Sequence, residues 1–194
     1  MSGASDLWGE WRRHNARGVR GAEALHTEID RIARAGGITS PVTTTRGLTA
    51  RLHYLDSPAG RAELTARGIS RRLLRSWERG TTPSAAKLQA VDTAYRNRRR
   101  RNIVRSGALK RILDNNGHGR RMEIFPVDQA AVPEKYRRPL SDRSVRARHI
   151  WDDAVRAWAA DDLDTLDDIW DDVISELDSG FAAYAYVSAI GIGA

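Results

Sequence analysis

Two short apolar segments on either side of a glycine constrain the fold of this chain more than any other feature. Between residues 62 and 80, four apolar residues recur at the spacing expected for the contact line between two crossed helices: Leu64, Ile69, Leu74 and Trp77. Gly68 stands at the corner, where it takes a positive φ without a side-chain penalty, and the Ser70 hydroxyl can cap the next helix. The stretch predicts a helix-turn-helix whose second helix begins at a capped amino terminus.

The second predicted helix carries polar side chains on the face opposite that contact line. They are Ser70, Arg71, Arg72, Arg75, Ser76 and Arg79. Arginine donates two hydrogen bonds at once to guanine in a DNA major groove, and a helix amino terminus attracts phosphate. The pattern predicts that these six residues contact DNA. The alternative is an ordinary helical hairpin whose arginine face meets only solvent.

Further helices are predicted on both sides of this motif. A leucine repeat marks the helix before it: Leu48, Leu52 and Leu55. Pro58 suits the first turn of the next helix, and Ser84 supplies a cap for a helix that runs through Tyr95. Four or five short helices in this order predict a compact bundle. We therefore assign residues 48–105 to a helix-turn-helix DNA-binding domain.

An arginine run follows directly on the last of these helices. Five of the six residues after Tyr95 are arginine: Arg96, Arg98, Arg99, Arg100 and Arg101. If the helix continues, these side chains surround it, so we expect them to face solvent or phosphates. Beside a helix that enters a major groove, contact with the DNA backbone is the favoured interpretation. A solvated charged surface is the alternative.

Charge is distributed unevenly along the chain. The formal net charge is +7, but residues 1–149 hold 31 of the 32 basic residues and 14 of the 25 acidic ones, a local net of +17. Residues 150–194 hold one basic and 11 acidic residues, a local net of −10. A genome rich in G and C would raise the arginine total but would not produce this asymmetry. We expect the first part to bind a polyanion and the second to face a protein partner or solvent.

The chain contains no cysteine, which excludes disulfides and thiolate metal sites and fits a reducing compartment. The amino terminus lacks the apolar core of a signal peptide, and no segment approaches the ~20 apolar residues that span a bilayer. The sequence therefore predicts a cytoplasmic protein that does not contact a membrane.

Residues 1–47 are predicted to form a basic N-terminal arm and a helix. The arm, residues 1–21, is expected to be flexible, with insertion into a DNA minor groove as the alternative. From residue 22 to residue 35, three apolar residues follow helical spacing: Leu25, Ile29 and Ile32. We expect this helix to pack on the DNA-binding domain.

Residues 106–194 are predicted to form a small α+β region. Residues 121–127 alternate as a strand does, and residues 142–160 and 163–177 follow helical spacing. The second helix combines a broad apolar stripe with aspartates, and the stripe needs a cover from the preceding helix or from a second copy in a homodimer. The tail, residues 181–192, either pairs with the first strand or serves as an apolar oligomerisation segment.

The predicted fold class is thus mainly α, a helix-turn-helix bundle followed by a small α+β C-terminal region with an acidic helical pair. The acidic segment 161–168 lacks the glycine and the terminal glutamate of a calcium loop, so it is interpreted as a solvated face. The five histidines have no zinc-ligand spacing, and no glycine-rich phosphate loop is present. The sequence predicts no metal site, no cofactor and no autonomous enzyme.

The segment Arg67-Gly-Ile-Ser-Arg-Arg-Leu-Leu-Arg-Ser-Trp-Glu-Arg-Gly80, with the following Thr-Thr-Pro-Ser-Ala-Ala-Lys-Leu, resembles the DNA-binding module of Cro and phage repressors. Over residues 45–192 the chain is similar in layout, rather than in residues, to the telomere-protecting terminal proteins of actinobacterial linear chromosomes and plasmids. Their outline is this module, an arginine-rich helix, a short strand, and an acidic two-helix region that ends in a strand.

That resemblance implies action at the ends of linear DNA in replication or telomere maintenance. The partner of the acidic helices would be a polymerase or a telomere-associated protein. In that family a side-chain hydroxyl beyond the helix-turn-helix accepts the first nucleotide and stays joined to the DNA. This chain departs from the pattern, because no serine or threonine lies between residues 107 and 140, and the nearest hydroxyls are Tyr136, Ser141 and Ser144. The alternatives are a dimeric phage or plasmid transcriptional repressor and an adaptor that uses the acidic helices to hold a partner.

Overall fold

The computed structural model describes residues 12–177 and 181–193, and the chain divides into two compact units. The helical unit comprises residues 33–106, and the sheet unit comprises residues 1–32 together with residues 107–194. The elements in chain order are β1 (Val19–Arg20), α1 (Gly21–Ala35), α2 (Thr45–Tyr54), α3 (Pro58–Ala66), α4 (Arg71–Glu78), α5 (Ala85–Arg105), α6 (Ala108–Leu113), β2 (Arg120–Pro126), β3 (Arg143–Ala147), α7 (Trp151–Ala160), α8 (Leu163–Ser175) and β4 (Tyr186–Ile192). Two 3₁₀ turns lie at Glu134–Tyr136 and Phe181–Tyr184. The fold is mainly α with a small antiparallel sheet, as predicted at this level.

Helices α2 to α5 each begin at a hydroxyl cap. Four side chains accept a hydrogen bond from the backbone N–H three residues further on: Thr44, Ser57, Ser70 and Ser84. Pro58 occupies the first turn of α3, where its missing N–H has no partner to lose. Since alanine at such a cap costs about 1 kcal/mol, these hydroxyls set where the four helices start.

The core of the helical unit is formed by residues of α3 and α5 and of the turns that flank α3. Its buried members are Leu55, Leu64, Ile69, Val91, Ala94 and Tyr95. Leu74 and Trp77, the other half of the predicted contact line, pack against this core but are only half-buried. No residue of α4 is fully buried, so this helix lies on the edge of the core with most of its circumference exposed.

The sheet unit contains one antiparallel sheet with the strand order β1-β4-β2-β3. Strands β2 and β4 pair with Met122 opposite Ile192 and Ile124 opposite Ile190, and all four side chains are buried. The predicted pairing of residues 121–127 with the C-terminal tail is confirmed. The prediction of one helix over residues 142–160 is wrong in its first third, because Arg143–Ala147 forms the edge strand β3. The helix α7 begins only at Trp151.

Helix α1 belongs to the sheet unit over most of its length. Leu25 and Ile29 are fully buried, and the Glu28 carboxylate accepts a hydrogen bond from the Ile192 amide at 3.1 Å. Gly21 lies so close to Trp170 that a Cβ there would come within 2.0 Å of the indole nitrogen. The expected grouping of this helix in a separate range 1–47, packed on residues 48–105, therefore differs from the structure. The residues that α1 packs against, such as Trp170 and Ile192, come after residue 106 in the sequence. No local pattern near α1 indicates them.

The arm predicted to be flexible, residues 1–21, falls partly within the described structure. Residues 1–11 lie outside the described part, and Val19–Arg20 forms β1, which pairs with β4.

The acidic helices α7 and α8 pack together, and they bury three indoles: Trp151, Trp158 and Trp170. The apolar stripe of α8 is thus covered within the same chain. Among the described helices, none is long and apolar enough to cross a bilayer.

Candidate nucleic-acid interface

The exposed side of α4 presents four arginines that no described carboxylate neutralises. Arg71, Arg72, Arg75 and Arg79 are all exposed. Arg75 makes one long contact, from Nε to the carbonyl of Arg71 at 3.4 Å, which leaves its charge uncompensated. This surface is a row of guanidinium groups on a short helix, which suits an anionic ligand.

The two serines predicted with these arginines have different positions. Ser70 is exposed and its Oγ accepts from the Leu73 amide at 3.2 Å, so it caps α4 as expected. Ser76 is half-buried and its hydroxyl donates to the Leu73 carbonyl at 2.7 Å. Because the Ser76 proton is already used inside the helix, this hydroxyl remains available to a ligand only as an acceptor.

The corner between α3 and α4 is closed by a pair of backbone hydrogen bonds. Gly68 has a φ of 69°, its amide donates to the Thr65 carbonyl at 2.9 Å, and the Ile69 amide donates to the Leu64 carbonyl at 2.9 Å. Leu64 and Ile69 are buried together, as the hydrophobic contact of this helix ending requires. The sequence signals at the corner, a glycine and then a capping serine, reflect this geometry.

A lysine on α5 holds the same corner, and sequence reasoning missed it. The Lys87 ammonium donates to the Gly68 carbonyl at 3.0 Å. This carbonyl follows the end of α3, where backbone acceptors lack a helical partner and attract a cation. The contact ties α5 to the turn and helps to set the direction in which α4 leaves it. Its residues are 19 positions apart, so no local pattern could have indicated it.

The arginine run on α5 does not form the uniform surface that the sequence suggested. Arg96 pairs with Asp92 at 2.8 Å, Arg99 donates to the Ala33 carbonyl, and Arg101 pairs with Glu63 on α3. Arg98 is half-buried with no ion pair to a carboxylate of the described residues, and Arg100 is half-buried as well. Three of the five residues predicted to contact DNA thus also make internal contacts: the acceptor of Arg96 lies on α5 itself, and those of Arg99 and Arg101 lie on neighbouring helices.

A buried ion pair joins α2 to α5 in the helical unit. Arg51 on α2 donates from Nε to Asp92 at 2.6 Å and from Nη1 to the carbonyls of Ser40 and Gly47, at 2.8 and 3.0 Å. The side chains of Arg51 and Asp92 are 7% and 6% exposed. The buried guanidinium therefore donates to one carboxylate and two backbone carbonyls. The sequence analysis did not identify this pair.

A groove of about 1110 Å³ opens within the helical unit beside α4. Its apolar lining includes Leu48, Leu52, Leu74 and Trp77, and Arg71 and Arg75 lie at its rim. The groove explains why α4 buries so little of its surface. It leaves the helix attached chiefly through its two capped ends and the half-buried Leu74 and Trp77.

The hydroxyls nearest the expected priming position have distinct surroundings in the sheet unit. Tyr136 is 43% exposed and stacks on His14, with ring centres 3.9 Å apart and planes inclined by 12°. The Ser141 carbonyl accepts from the Tyr184 hydroxyl at 2.7 Å, which fixes the backbone there. Ser144 is exposed on β3 opposite Glu123.

The acidic face of α8 is concentrated enough to perturb its own titration. Partial burial, reinforced by the charges of Asp167, Asp168 and Asp172, raises the pKa of Asp171. Arg20 of β1 pairs with Asp167, and this hydrogen bond raises the pKa of the guanidinium. Within the described residues, no group of three or more histidine or carboxylate side chains is arranged to hold a metal ion.

No family model, curated protein or solved structure matches the chain. The similarity to phage repressors and to telomere-protecting terminal proteins therefore stays a prediction from the residues and the order of elements.

Proposed function

We propose that the protein binds duplex DNA through α3 and α4 acting as a helix-turn-helix, with α4 in the major groove. The observation that carries the proposal is the row of exposed, unneutralised arginines on α4: Arg71, Arg72, Arg75 and Arg79. They project from a helix that begins at a capped terminus after a glycine corner, the arrangement in which the first residues of a recognition helix reach base edges.

The charge of the helical unit supports the same ligand. Residues 33–106 contain 16 basic and 4 acidic residues, a net of +12. Two arginines on α5, Arg96 and Arg101, pair with carboxylates and yet keep about half of their side chains exposed. Such side chains contact phosphates without reading sequence, and they supply the salt-dependent part of the affinity.

For the biological role we propose action at the ends of linear DNA, in replication or telomere maintenance. The support is the order of elements: α5 with its arginines, the short helix α6, strands β2 and β3, the acidic pair α7 and α8, and then β4. The acidic pair presents its aspartates outward and is available to a basic protein partner. A transcriptional repressor is the second candidate, supported by the same α3–α4 surface alone.

Quantitative DNA binding by sequence variants tests the proposal. Arg72→Ala, at the start of α4, is expected to weaken a selected site by about 1–3 kcal/mol and to relax base preference, since a bidentate arginine contact is worth that much. Arg61→Gln is the matched control, because this exposed arginine of the same unit is paired with Asp56 at 2.7 Å. Unchanged base preference in every α4 variant would remove the proposed function.

Two further measurements separate the candidate roles. A protein that primes replication retains labelled nucleotide after boiling in detergent, once it has been incubated with a suitable polymerase. Tyr136→Phe, Ser141→Ala and Ser144→Ala then identify the acceptor hydroxyl. A dimeric repressor gives no such adduct and instead protects a palindromic site with half-sites about 34 Å apart.

A further inference from the structure

We propose that the sheet unit carries a second surface for the DNA backbone, formed by Arg121, Arg146 and Arg148 at the edge of the sheet. The proposal rests on the proposed function only in taking duplex DNA as the ligand. It concerns residues that sequence analysis did not select, in a unit that does not contain α4.

The geometry places the aliphatic parts of the three arginine side chains side by side. Arg121 and Arg146 are partners in the register of β2 and β3, so both side chains project from the same face of the sheet. A Cβ added to Gly119 would come within 2.5 Å of Arg148 Cγ and 3.3 Å of Arg146 Cγ. The absence of a side chain at Gly119 thus leaves the space in which these two arginine stems lie together.

The cluster has one carboxylate for its three guanidinium groups. The Arg121 side chain is 64% exposed, and Glu123 is 3.7 Å from its guanidinium. Arg146 and Arg148 are exposed and form no ion pair with a carboxylate in the part of the chain that the structure describes. Like charges directly opposite each other on paired strands destabilise a sheet, so this arrangement has a cost that an anionic ligand offsets.

The cluster is also not a consequence of a generally basic unit. Residues 1–32 and 107–194 together hold 16 basic and 21 acidic residues, a net of −5. Some exposed cations of this unit are paired with carboxylates: Arg31 with Glu28, and Arg156 with Asp152 and Asp153. Others donate to uncharged oxygens, as Arg137 does to the Val132 carbonyl and Arg143 to the Tyr184 hydroxyl. Three adjacent arginines with a single carboxylate beside them, in an acidic unit, fit a polyanion with closely spaced charges, which is the DNA backbone.

The test compares the full chain with Arg146→Gln/Arg148→Gln on a duplex of arbitrary sequence over a range of salt. Loss of two phosphate contacts is expected to lower the slope of log affinity against log salt by about 1.8, and to weaken binding at 0.1 M salt by roughly one to two orders of magnitude. Arg146→Lys/Arg148→Lys keeps the charges and is expected to retain the slope. Arg156→Gln removes an exposed but paired arginine of the same unit and is expected to change nothing.

An unchanged salt slope in a folded Gln variant overturns the proposal, and self-association of that variant would instead assign the arginines to protection of the edge strand. If the double variant does not fold, Arg146→Gln and Arg148→Gln alone are each expected to lower the slope by about 0.9. The α4 variants distinguish the two proposals. Unchanged base preference in Arg72→Ala with a lowered slope in the Gln variant would remove the helix-turn-helix function and retain this surface.

Discussion

The helical unit and the sheet unit treat charge in opposite ways. In the helical unit acids are scarce, and three of the four hold arginines in place: Asp56, Glu63 and Asp92. In the sheet unit acids are in excess: Arg20, Arg31 and Arg156 are paired with carboxylates, and aspartates accumulate on α8. The scarce acids of the helical unit thus have a structural task, as do the paired cations of the sheet unit, whereas most of the abundant charge of each unit remains at the surface for a partner.

Among the tests of this comparison, the largest effect is expected from a substitution of the buried carboxylate of the helical unit, Asp92. Asp92→Asn leaves Arg51 buried and charged without its counter-ion, so the free energy of unfolding of the helical unit is expected to fall by about 3–5 kcal/mol. Urea unfolding followed by circular dichroism measures it. Asp56→Asn is the matched control, because this acid is 67% exposed and its pair with Arg61 is worth no more than about 1 kcal/mol. Equal effects of the two substitutions would show that the scarce acids are interchangeable.

The next test asks whether the sheet unit is held by packing rather than by charge. Gly21→Ala places a methyl group 2.0 Å from the Trp170 indole nitrogen, where the indole is fixed by a hydrogen bond to the Tyr184 carbonyl at 2.9 Å. The free energy of unfolding of the sheet unit is expected to fall by about 1–3 kcal/mol or more. Tryptophan fluorescence during urea unfolding, measured in a Trp77→Phe background, follows this unit through its buried Trp151, Trp158 and Trp170.

The control for Gly21→Ala is Gly191→Ala on β4. A methyl group there meets Phe125 and Glu123 at 3.9 and 4.0 Å, which is ordinary contact. Its stability is therefore expected to change by less than about 0.5 kcal/mol. A loss as large as that of Gly21→Ala would mean that glycine is required throughout the sheet unit for another reason.

The parts of the fold that sequence analysis predicted correctly depend on neighbours along the chain. Gly68 and Ser70 mark the corner and the cap of α4, and Pro58 marks the start of α3, because each acts on backbone groups within a few residues. The pairing of β2 with β4 was also predicted, since both segments alternate and each needs a partner.

The parts that were missed depend on residues far apart in sequence. Arg51 and Asp92 are 41 positions apart, and Glu28 accepts from an amide 164 positions away. Arg143–Ala147 has too few apolar residues to distinguish an edge strand from the first turn of a helix. At the candidate site, the exposed arginines of α4 were therefore predicted, whereas the distant acceptors of Arg99 and Arg101 were not. The pair of Arg96 with Asp92 was also missed, although these residues are only four positions apart.

Substitutions of Ser70 are expected to have a smaller effect on stability. This residue caps α4 and lies beside the arginines proposed to contact DNA. Ser70→Ala removes the cap and is expected to cost about 1 kcal/mol of unfolding free energy. Ser70→Asp retains a cap, so its stability is expected to change by only a few tenths of a kcal/mol. The added negative charge beside Arg71 and Arg72 is nevertheless expected to weaken DNA binding.

Thermal melting and DNA titration of the same two proteins separate these effects. Ser84→Ala, which uncaps α5, is the control and is expected to lower stability without changing base preference. DNA binding that follows stability alone across the three variants would contradict a direct role for α4.

The smallest expected effect tests the abundant charge of the sheet unit. The pKa of Asp171 is raised above its usual 3.8, so the folded protein binds more protons than the unfolded chain between 3.8 and the raised value. Stability is therefore lost as pH rises through that window. Asp171→Asn removes this loss and is expected to stabilise the sheet unit at pH 7 by up to about 0.5 kcal/mol, with no gain below pH 3.8. Asp152→Asn, whose carboxylate pairs with Arg156, is expected to give no gain at either pH. A lower stability of Asp171→Asn at pH 7 would place this aspartate among the structural charges of its unit, contrary to the division between the two units.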